Sequence, residues 1–288
     1  MSPKFYRNLL IITVIVALVA LIAVYFFYEP NKNLRVTFLD IGQGDSALIQ
    51  TPYSQNILID GGPGTAILKQ LPKFLPFYDK TIDLMILTHP HDDHVGGLVP
   101  VIKRYKVKKI LYTGVVHAAP DYLAWLEEIR DRNIALTIID RPQAIILGEN
   151  LKMEILYPRE GLVNKEVENL NNSSIVAKLI YGDNKFLFTG DAEVEIEEEL
   201  IASSADLSAD VIKIGHHGSD TSNTEEFLQA VNPQIAVIQV GKDNDFGHPS
   251  LRVLKRLERI GVEYYRNDLE GWVQIISDGQ DIAVKKER

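Results

Sequence analysis

The sequence contains no cysteine among its 288 residues. This absence excludes disulfide bonds and thiolate metal ligands, so any metal site must be built from histidine and carboxylate side chains. Basic residues are also scarce: beyond residue 28 the chain carries 28 Lys and Arg against 39 Asp and Glu, a net charge of −11. We therefore expect no general affinity for polyanions. Bound divalent cations would offset part of this charge locally, so a phosphate-bearing substrate is compatible with it.

The amino-terminal segment lacks charge over a long stretch. The run Leu9–Tyr28 contains Thr13 as its only strongly polar residue, and Lys4 and Arg7 precede it. As a helix it is roughly 30 Å long, which matches the hydrocarbon core of a bilayer. The positive-inside rule then places the amino terminus in the cytoplasm. Four aromatic residues form a belt at the outer end, namely Tyr25, Phe26, Phe27 and Tyr28.

These features predict a membrane protein with four parts. Residues 1–8 are a cytoplasmic amino terminus, 9–28 a transmembrane anchor, 29–33 a linker and 34–288 a single extracellular domain. The competing interpretation is a cleaved signal peptide, which would make the protein secreted, although such peptides normally end in small residues. A buried core helix is disfavoured, because the run has no amphipathic face.

The rest of the chain alternates between strand-like and helix-like patterns. Helices are predicted near Thr65–Leu75, His94–Tyr105, Pro120–Arg132, Glu193–Ser203, Thr224–Val231 and Ser250–Ile260. Tight-turn residues such as those at 182–184 join several strands as hairpins. Hairpins combined with strand–helix units predict an α/β fold with mixed sheets. We find no internal repeat and no linker after residue 33, so this portion is predicted to be one domain.

A histidine-rich segment supplies the sharpest chemical signal. His-Pro-His-Asp-Asp-His at 89–94 holds three of the seven histidines and directly follows an apolar strand-like segment at 84–88. Side chains at such a strand end lie on the rim of a sheet, where α/β folds bind ligands. The first two histidines can close on one ion, and Asp93 and His94 on a second, since imidazole and carboxylate suit Zn²⁺, Mn²⁺ or Fe. A loop that merely caps a helix would leave the histidines unexplained.

Two further apolar strands end in similar groups. Thr-Gly-Asp at 189–191 delivers the carboxylate of Asp191, and Gly-His-His-Gly-Ser at 215–219 delivers His216 and His217. Each motif alone is weak evidence, but strands that end in such residues converge at one edge. A carboxylate between two cations can bridge them, as in two-metal hydrolases.

The order of these motifs resembles the metallo-β-lactamase superfamily. A narrower resemblance is to the extracellular hydrolase domain of ComEC-type competence proteins, a family of DNA-uptake channels, and it extends from about Leu34 to Ser277. Since only one anchor is present, the chain resembles that domain as a stand-alone protein. The motifs that carry the resemblance are Leu-Asp-Ile-Gly-Gln-Gly-Asp-Ser at 39–46, Asp-Gly-Gly at 60–62, the three motifs above, Leu-Asn-Asn-Ser-Ser at 170–174 and Gly-His-Pro at 247–249.

The resemblance implies a four-layer αββα sandwich with two divalent metal ions, Zn or Mn. On this sequence its pattern implies that His89 and His91 hold the first ion, that Asp93, His94 and His217 hold the second, and that Asp191 bridges them. Asp60 would orient a metal-bound histidine. Many members place a further histidine near 170–174, where this chain has Asn171 and Asn172. The first ion is therefore expected to be held more weakly, or to be completed by water or Asn172.

The implied function is that of a phosphodiesterase or nuclease that acts on extracellular DNA by two-metal activation of water. Asp93, His216 and His248 are the candidate catalytic residues, and Lys213 and Ser219 are candidates for supporting or substrate contacts. Lys213 lies inside a strand, so packing or a local ion pair is an equal alternative. His248 has the alternative of an ordinary surface loop residue.

Other functions stay open at this point. The substrate could be a small or wall-linked phosphodiester such as a phosphocholine ester, which the acidic balance favours, or the fold could serve a non-catalytic accessory protein. No obligate protein partner can be inferred. A basic cluster at 103–109 could guide a nucleic-acid backbone, but a solvated helix end is the favoured interpretation. We expect 42–45 to be a hairpin turn and His117 to lie on the surface, away from the ligands.

Overall fold

The structure is a computed structural model that describes residues 3–27 and 33–288, with side chains described for 3–22 and 33–288. The predicted aromatic belt at 25–28 and most of the predicted linker lie outside the described side chains. The chain forms two compact units, residues 1–32 and 33–288.

The first unit contains one long helix, α1 (Pro3–Phe27). By length and composition this helix is able to cross a membrane. Its side chains from Pro3 to Ile22 are exposed, and the hydroxyl of Thr13 donates to the carbonyl of Leu9 at 3.0 Å. The single polar side chain in the apolar run is therefore satisfied within the helix, as an apolar environment requires.

The second unit combines seventeen strands with eight helices among residues 33–288. The helices are α2 (Ile67–Phe74), α3 (Asp92–Val95), α4 (Leu98–Arg104), α5 (Pro120–Asp131), α6 (Val194–Ala202), α7 (Glu225–Val231), α8 (Leu251–Ile260) and α9 (Asn267–Glu270). The strands are β1 (Leu34–Phe38), β2 (Ala47–Gln50), β3 (Asn56–Ile59), β4 (Thr81–Ile82), β5 (Leu84–Ile86), β6 (Lys106–Val107), β7 (Lys109–Tyr112), β8 (Ala135–Ile138), β9 (Gln143–Gly148), β10 (Leu151–Tyr157), β11 (Val176–Tyr181), β12 (Asn184–Phe188), β13 (Val211–Lys213), β14 (Ile235–Ile238), β15 (Glu263–Arg266), β16 (Val273–Ser277) and β17 (Ile282–Lys286).

Two large mixed sheets contain most of these strands. The first has the order β17-β16-β1-β2-β3-β5-β7-β8 and the second β15-β14-β13-β12-β11-β10-β9, while β4 and β6 form a small parallel pair. In the first sheet β3, β5, β7 and β8 run parallel and the rest are antiparallel. In the second sheet β12 to β15 run parallel. Parallel and antiparallel parts thus combine in each sheet, which confirms the predicted mixed α/β architecture.

Alternating side chains arrange the sheets and helices in four layers. Phe186 and Phe188 of β12 join the core between the sheets, whereas Leu187 between them joins the core under α6, α7 and α8. In the same way Ile57 of β3 faces the other sheet and Leu58 packs in the core with α2, α4 and α5. Each sheet therefore buries both faces, and the αββα sandwich implied by the sequence resemblance is confirmed.

Three local differences from the sequence predictions have physical causes. The helix predicted over His94–Tyr105 is divided into α3 and α4, because the amide of Gly97 donates to the carbonyl of Gly62 at 2.7 Å. The sequence patterns do not predict β8 and β9, which are sheet edges with many exposed residues. Exposed edges lack the apolar periodicity by which strands are recognised.

Candidate metal centre

The candidate site lies where several loops meet at one end of the two sheets. The segment 89–94 follows β5, and Asp60 follows the neighbouring parallel strand β3. Asp191 follows β12, and the turn at 215–218 follows β13, the parallel neighbour of β12. The carboxyl ends of parallel strands point to the same edge, so both sheets deliver polar groups to one place.

Four side chains form the centre of this site. One ligand atom from each of Asp93, His94, Asp191 and His217 lies within 4.8 Å of the others. Asp191 Oδ2 is 3.2 Å from both His94 Nε2 and His217 Nε2, and Asp93 Oδ2 is 3.1 Å from His217 Nε2. The structure thus brings together the group predicted for the second ion and its predicted bridge.

A pair of histidines adjoins this centre. His89 Nε2 and His91 Nδ1 are 3.0 Å apart, and the ring of His89 is 4.1 Å from that of His94 between centroids. Burial and the neighbouring His94 hold the pKa of His89 well below its ordinary value. A neutral imidazole is the form that binds metals. The pair is therefore suited to hold an ion beside the first group.

Carboxylates and carbonyls behind the site fix the orientation of its histidines. Asp60 Oδ2 is 2.8 Å from His94 Nδ1 and accepts a 2.6 Å hydrogen bond from the Thr88 hydroxyl. His217 Nδ1 lies 3.0 Å from the carbonyl oxygen of Gln239. Each histidine thus turns its Nε2 atom toward Asp191, an arrangement typical of metal-ligating histidines. The expected supporting position of Asp60 matches this contact.

Asp45 is a buried residue of the site that the sequence analysis missed. Its carboxylate pairs with Lys213 Nζ, and its Oδ1 is 3.2 Å from His217 Nδ1. The segment 42–45 does join two antiparallel strands, as expected of a hairpin connection. Asp45 belongs to the 39–46 motif, which was the available signal for it. The interpretation of this motif as a turn explains its glycines but gives no reason for a buried carboxylate at position 45.

Lys213 acts as a counter-ion inside the protein. Its ammonium donates to the carbonyl of Gly190 at 2.7 Å and lies 3.4 Å from Asp191 Oδ1. Burial would lower its pKa, but Asp45 and Asp191 more than offset this and raise it. Only 3% of its side chain is exposed. Of the two alternatives left by the sequence, a local ion pair describes Lys213 and direct substrate contact does not.

The donor set and its charge fit a divalent cation. Asp45, Asp60 and Asp191 are all buried, and the ammonium of Lys213 pairs with Asp45 and lies 3.4 Å from Asp191. Burial would lower the pKa of His94, but Asp191, Asp60 and Asp93 together raise it well above its ordinary value. Buried carboxylates are costly unless they are paired or coordinate a metal. The negative charge of the buried carboxylates therefore favours a cation bound beside Asp191.

A second group of polar residues forms the rim. His216 Nδ1 is 3.2 Å from Glu193 Oε1, and that oxygen also accepts a 2.8 Å hydrogen bond from Asn171 Nδ2. The His248 ring is 5.6 Å from the His216 ring between centroids. His248 is half-buried at this rim, which is unlike an ordinary surface loop residue. Glu193, next to the Thr-Gly-Asp motif, is the second residue that the sequence analysis missed.

Asn171 and Asn172 differ in a way the sequence did not reveal. Asn172 uses both ends of its amide elsewhere: Oδ1 accepts from the Glu193 amide at 3.0 Å, and Nδ2 donates to Glu195 at 3.1 Å. Asn171 lines the cleft, and its buried Oδ1 has no hydrogen-bond partner among the described residues. Asn172, expected as a ligand of the first ion, thus has both ends of its amide engaged elsewhere, while Asn171 has an unpaired oxygen at the cleft.

Ser219 and His117 are the two remaining residues for which the sequence predicts a role or a position. Ser219 is buried, its amide donates to the carbonyl of His216 at 2.7 Å, and its Oγ lies 3.1 Å from the hydroxyl of Thr221, so of its two alternatives the supporting contact describes it and a substrate contact does not. The expectation for His117 is corrected. His117 is half-buried with its ring 6.4 Å from the His91 ring between centroids, so it lies near the ligands and not on a remote surface. The sequence between β7 and His117 contains no pattern that predicts the closeness of His117 to His91.

An open cleft of about 550 Å³ leads to the centre. His91, Asp93 and Asp191 form part of its wall, with His216 and Phe246 among the residues at the mouth. A substrate phosphate placed in this cleft would meet the candidate ligands and His216 together.

The basic cluster at 103–109 lies elsewhere. Lys109 starts β7, which runs parallel to β5, so it is at the opposite end of the sheet from the segment 89–94. Lys103 is 3.4 Å from Glu128, and Lys108 is 2.7 Å from Asp83. These local ion pairs favour the solvated helix end over a nucleic-acid guide.

Comparison with known proteins identifies the family. Residues 39–242 match the metallo-β-lactamase superfamily. The chain is 32% identical over 258 residues to ComE operon protein 3 of Bacillus subtilis strain 168, covering 83% of this chain and 32% of that protein. It is 29% identical over 252 residues to the competence protein ComA of Neisseria gonorrhoeae, covering 85% and 32%. The chain thus spans about a third of the length of these curated relatives.

Solved structures share the fold. CmlA, a diiron β-hydroxylase from Streptomyces venezuelae, superposes with a TM-score of 0.55 at 13% identity, covering 90% of this chain and 55% of that one. A putative metal-dependent hydrolase from Parabacteroides distasonis superposes with a TM-score of 0.50 at 14% identity, covering 82% and 94%. Together with the fold and the His/Asp cluster, these matches show that the chain belongs to the metallo-β-lactamase superfamily of metal-dependent hydrolases and resembles competence proteins within it.

Proposed function

We propose that this protein is a membrane-anchored phosphodiesterase that hydrolyses extracellular DNA with two divalent cations, Zn²⁺ or Mn²⁺. The observation that carries the proposal is the cluster of Asp93, His94, Asp191 and His217, of which Asp93 and Asp191 line an open cleft that His216 also lines, with His248 beside His216. The similarity to competence proteins favours DNA among phosphodiesters. The helix α1 would be the anchor, with Lys4 and Arg7 on the cytoplasmic side.

The residues divide into ligands and proton donors. His89, His91 and Asn171 would hold one cation, Asp93, His94 and His217 the other, and Asp191 would lie between them. Bound cations would activate water and neutralise negative charge on the phosphate. In the hydrolysis a water oxygen adds to phosphorus, the bond to the leaving oxygen breaks, and a proton must reach that oxygen.

His216 is our candidate for the proton donor. Glu193 Oε1 at 3.2 Å from His216 Nδ1 orients the ring, and His216 lines the cleft that would take a phosphate. His248 lies beside His216 at the rim and would donate a hydrogen bond to a phosphate oxygen. Lys213 and Asp45 stay behind the ligands and hold Asp191 and His217 in place.

An activity panel tests the proposal. Full-length protein in detergent, supplied with Mn²⁺ or Zn²⁺, should cleave single- or double-stranded DNA and lose this activity in EDTA. The net charge of −11 favours a second candidate, a small or wall-linked phosphodiester such as a phosphocholine ester. Turnover of bis(p-nitrophenyl) phosphate with DNA left intact would support that candidate. No hydrolysis with either metal would contradict both and favour an accessory protein.

A further inference from the structure

An exposed aromatic ring stands at the mouth of the cleft. Phe246 lines the cleft together with His91, Asp191 and His216, yet 70% of its surface is exposed. One side of the ring is backed by His248: the two rings are 5.9 Å apart between centroids and inclined by only 15°. A large apolar side chain so exposed beside a polar site is a candidate contact for a ligand.

The loop that carries this ring is held rigidly. Asn244 Oδ1 accepts from the amides of Phe246 at 3.2 Å and His248 at 3.0 Å. Asn244 Nδ2 donates to the carbonyls of Gly241 at 3.0 Å and His248 at 2.7 Å. The Gly241 amide in turn donates to Gln43 Oε1 at 3.0 Å, which ties this loop to the one between β1 and β2. Because the backbone that carries Phe246 is already ordered, a ligand that stacks on the ring need not order this loop.

The geometry favours a flat aromatic ligand. The rings of Phe246 and His248 are nearly parallel and stacked, so His248 covers one face of Phe246 and leaves the other face open, with no enclosure. A quaternary ammonium group is normally bound within a cage of several aromatic rings. A nucleobase needs only one open face, and it stacks on aromatic side chains whatever its sequence. The neighbouring side chains Lys242, Asp243 and Asp245 give no excess of positive charge for a phosphate.

We propose that Phe246, backed by His248, is a stacking platform for the nucleobase next to the phosphodiester that is cleaved. Phe246 lines the same cleft as the candidate ligands His91, Asp93 and Asp191. Stacking requires a base with a free face, so the substrate is a single strand or an unpaired strand end and not an intact duplex. This inference rests on the proposed function and names the class of substrate for the same site.

The kinetic test compares two exposed phenylalanines. The variant Phe246→Ala should raise KM for a single-stranded oligonucleotide about tenfold with little change in kcat, because base stacking on one ring is worth roughly that factor. Phe246→Tyr should restore KM. Phe77→Ala is the matched control, since Phe77 is 90% exposed but lies on the loop before β4, away from the cleft. An equal KM for the Phe246→Ala and Phe77→Ala variants would overturn the platform while leaving the proposed function intact.

A binding test separates the platform from catalysis. A single-stranded oligonucleotide with 2-aminopurine and cleavage-resistant phosphorothioate linkages is titrated with full-length protein in detergent. Stacking on Phe246 should quench 2-aminopurine fluorescence, and Phe246→Ala should abolish the quenching. Quenching that is absent in the parent protein, or unchanged in that variant, would contradict the platform. If no phosphodiester is cleaved under any condition, the proposed function fails while this titration still decides the question of stacking.

Discussion

At the scale of single residues, the candidate metal centre uses a carboxylate, Asp93, whose surroundings differ from those of the adjacent carboxylate, Asp92. Asp93 reaches His217 across the cleft, at 3.1 Å between Oδ2 and Nε2, whereas Asp92 beside it is exposed. Both line the cleft, and both lie in the first turn of α3. Only Asp93 has the contacts of a ligand. Substituting each of the two residues in turn therefore distinguishes the effect of metal coordination from that of negative charge near the cleft.

Asp93→Asn should therefore lower metal content and reduce diester hydrolysis by about a hundredfold or more, because a charged ligand of one cation is lost. Asp92→Asn is the matched control and should stay within a few-fold of the parent. Metal analysis by mass spectrometry and initial rates would check both. Equal losses in the two variants would show that Asp93 supplies charge only.

Glu193 allows a similar comparison at the rim. Glu193→Gln replaces the carboxylate that orients His216 through Nδ1 by an amide with a weaker acceptor oxygen, so kcat should fall by about tenfold or more while metal content is retained. Glu198→Gln on the exposed face of α6 is the control and should change neither quantity. A Glu193→Gln variant with parental kcat would remove His216 from the proposed role of proton donor.

At the scale of elements, the loop between β1 and β2 supports the metal-ligand loop. The Asp45 amide donates to the Asp93 carbonyl at 3.1 Å. Gly44 has a φ of +134°, and a Cβ placed there would collide with the same Asp93 carbonyl. Gly42 in the same loop has a φ of +86° but open space around it. A side chain at Gly44 would therefore meet both a steric clash and backbone strain, whereas one at Gly42 would meet backbone strain alone.

Gly44→Ala should weaken metal binding at least tenfold as well as lower stability, because Asp93 must move to admit the added carbon. Gly42→Ala should cost only the strain of a positive φ, roughly 1–2 kcal/mol of unfolding free energy, and should leave metal affinity unchanged. Metal titrations and thermal unfolding of the two variants would measure this. Identical metal affinities would mean that the loop does not position Asp93.

Site residues that belong to local sequence motifs could be predicted, whereas those defined by contacts with residues far along the chain could not. The predicted ligands at 89–94, Asp191 and His217 each belong to a local motif at the end of an apolar strand, and strand ends converge in any such sheet. Asp45 and Glu193 were missed because their roles arise from partners far along the chain, Lys213 and His216. No local pattern encodes such pairs.

The choice between neighbours is equally hidden from the sequence. Asn171 and Asn172 occupy one short turn, Leu170–Ser173, and the phase of that turn decides which amide faces the cleft. Likewise β8 and β9 are edge strands whose exposed residues carry no clear period. The four layers were expected from the resemblance to the metallo-β-lactamase superfamily, whereas the central strands, such as the one that holds Phe186 and Phe188, were predictable from their apolar runs.

At the scale of the whole molecule, charge and fold restrict the substrate more than any single residue does. The second unit is acidic, and its basic cluster lies at the far end of the first sheet. The described residues of this domain therefore form no long basic surface of the kind that binds the phosphate backbone of duplex DNA. The proposed binding at the cleft, by the candidate metal ligands and by stacking on Phe246, would suit a single strand.

The central claim is that the His/Asp cluster holds catalytic divalent cations, and metal content measured together with activity tests it most directly. Full-length protein purified in detergent with added Mn²⁺ or Zn²⁺ should retain about two ions per chain, and removing them with a chelator should abolish phosphodiester hydrolysis, which the same metal then restores. Protein that retains no metal under these conditions, or hydrolyses phosphodiesters equally well without it, would contradict the account.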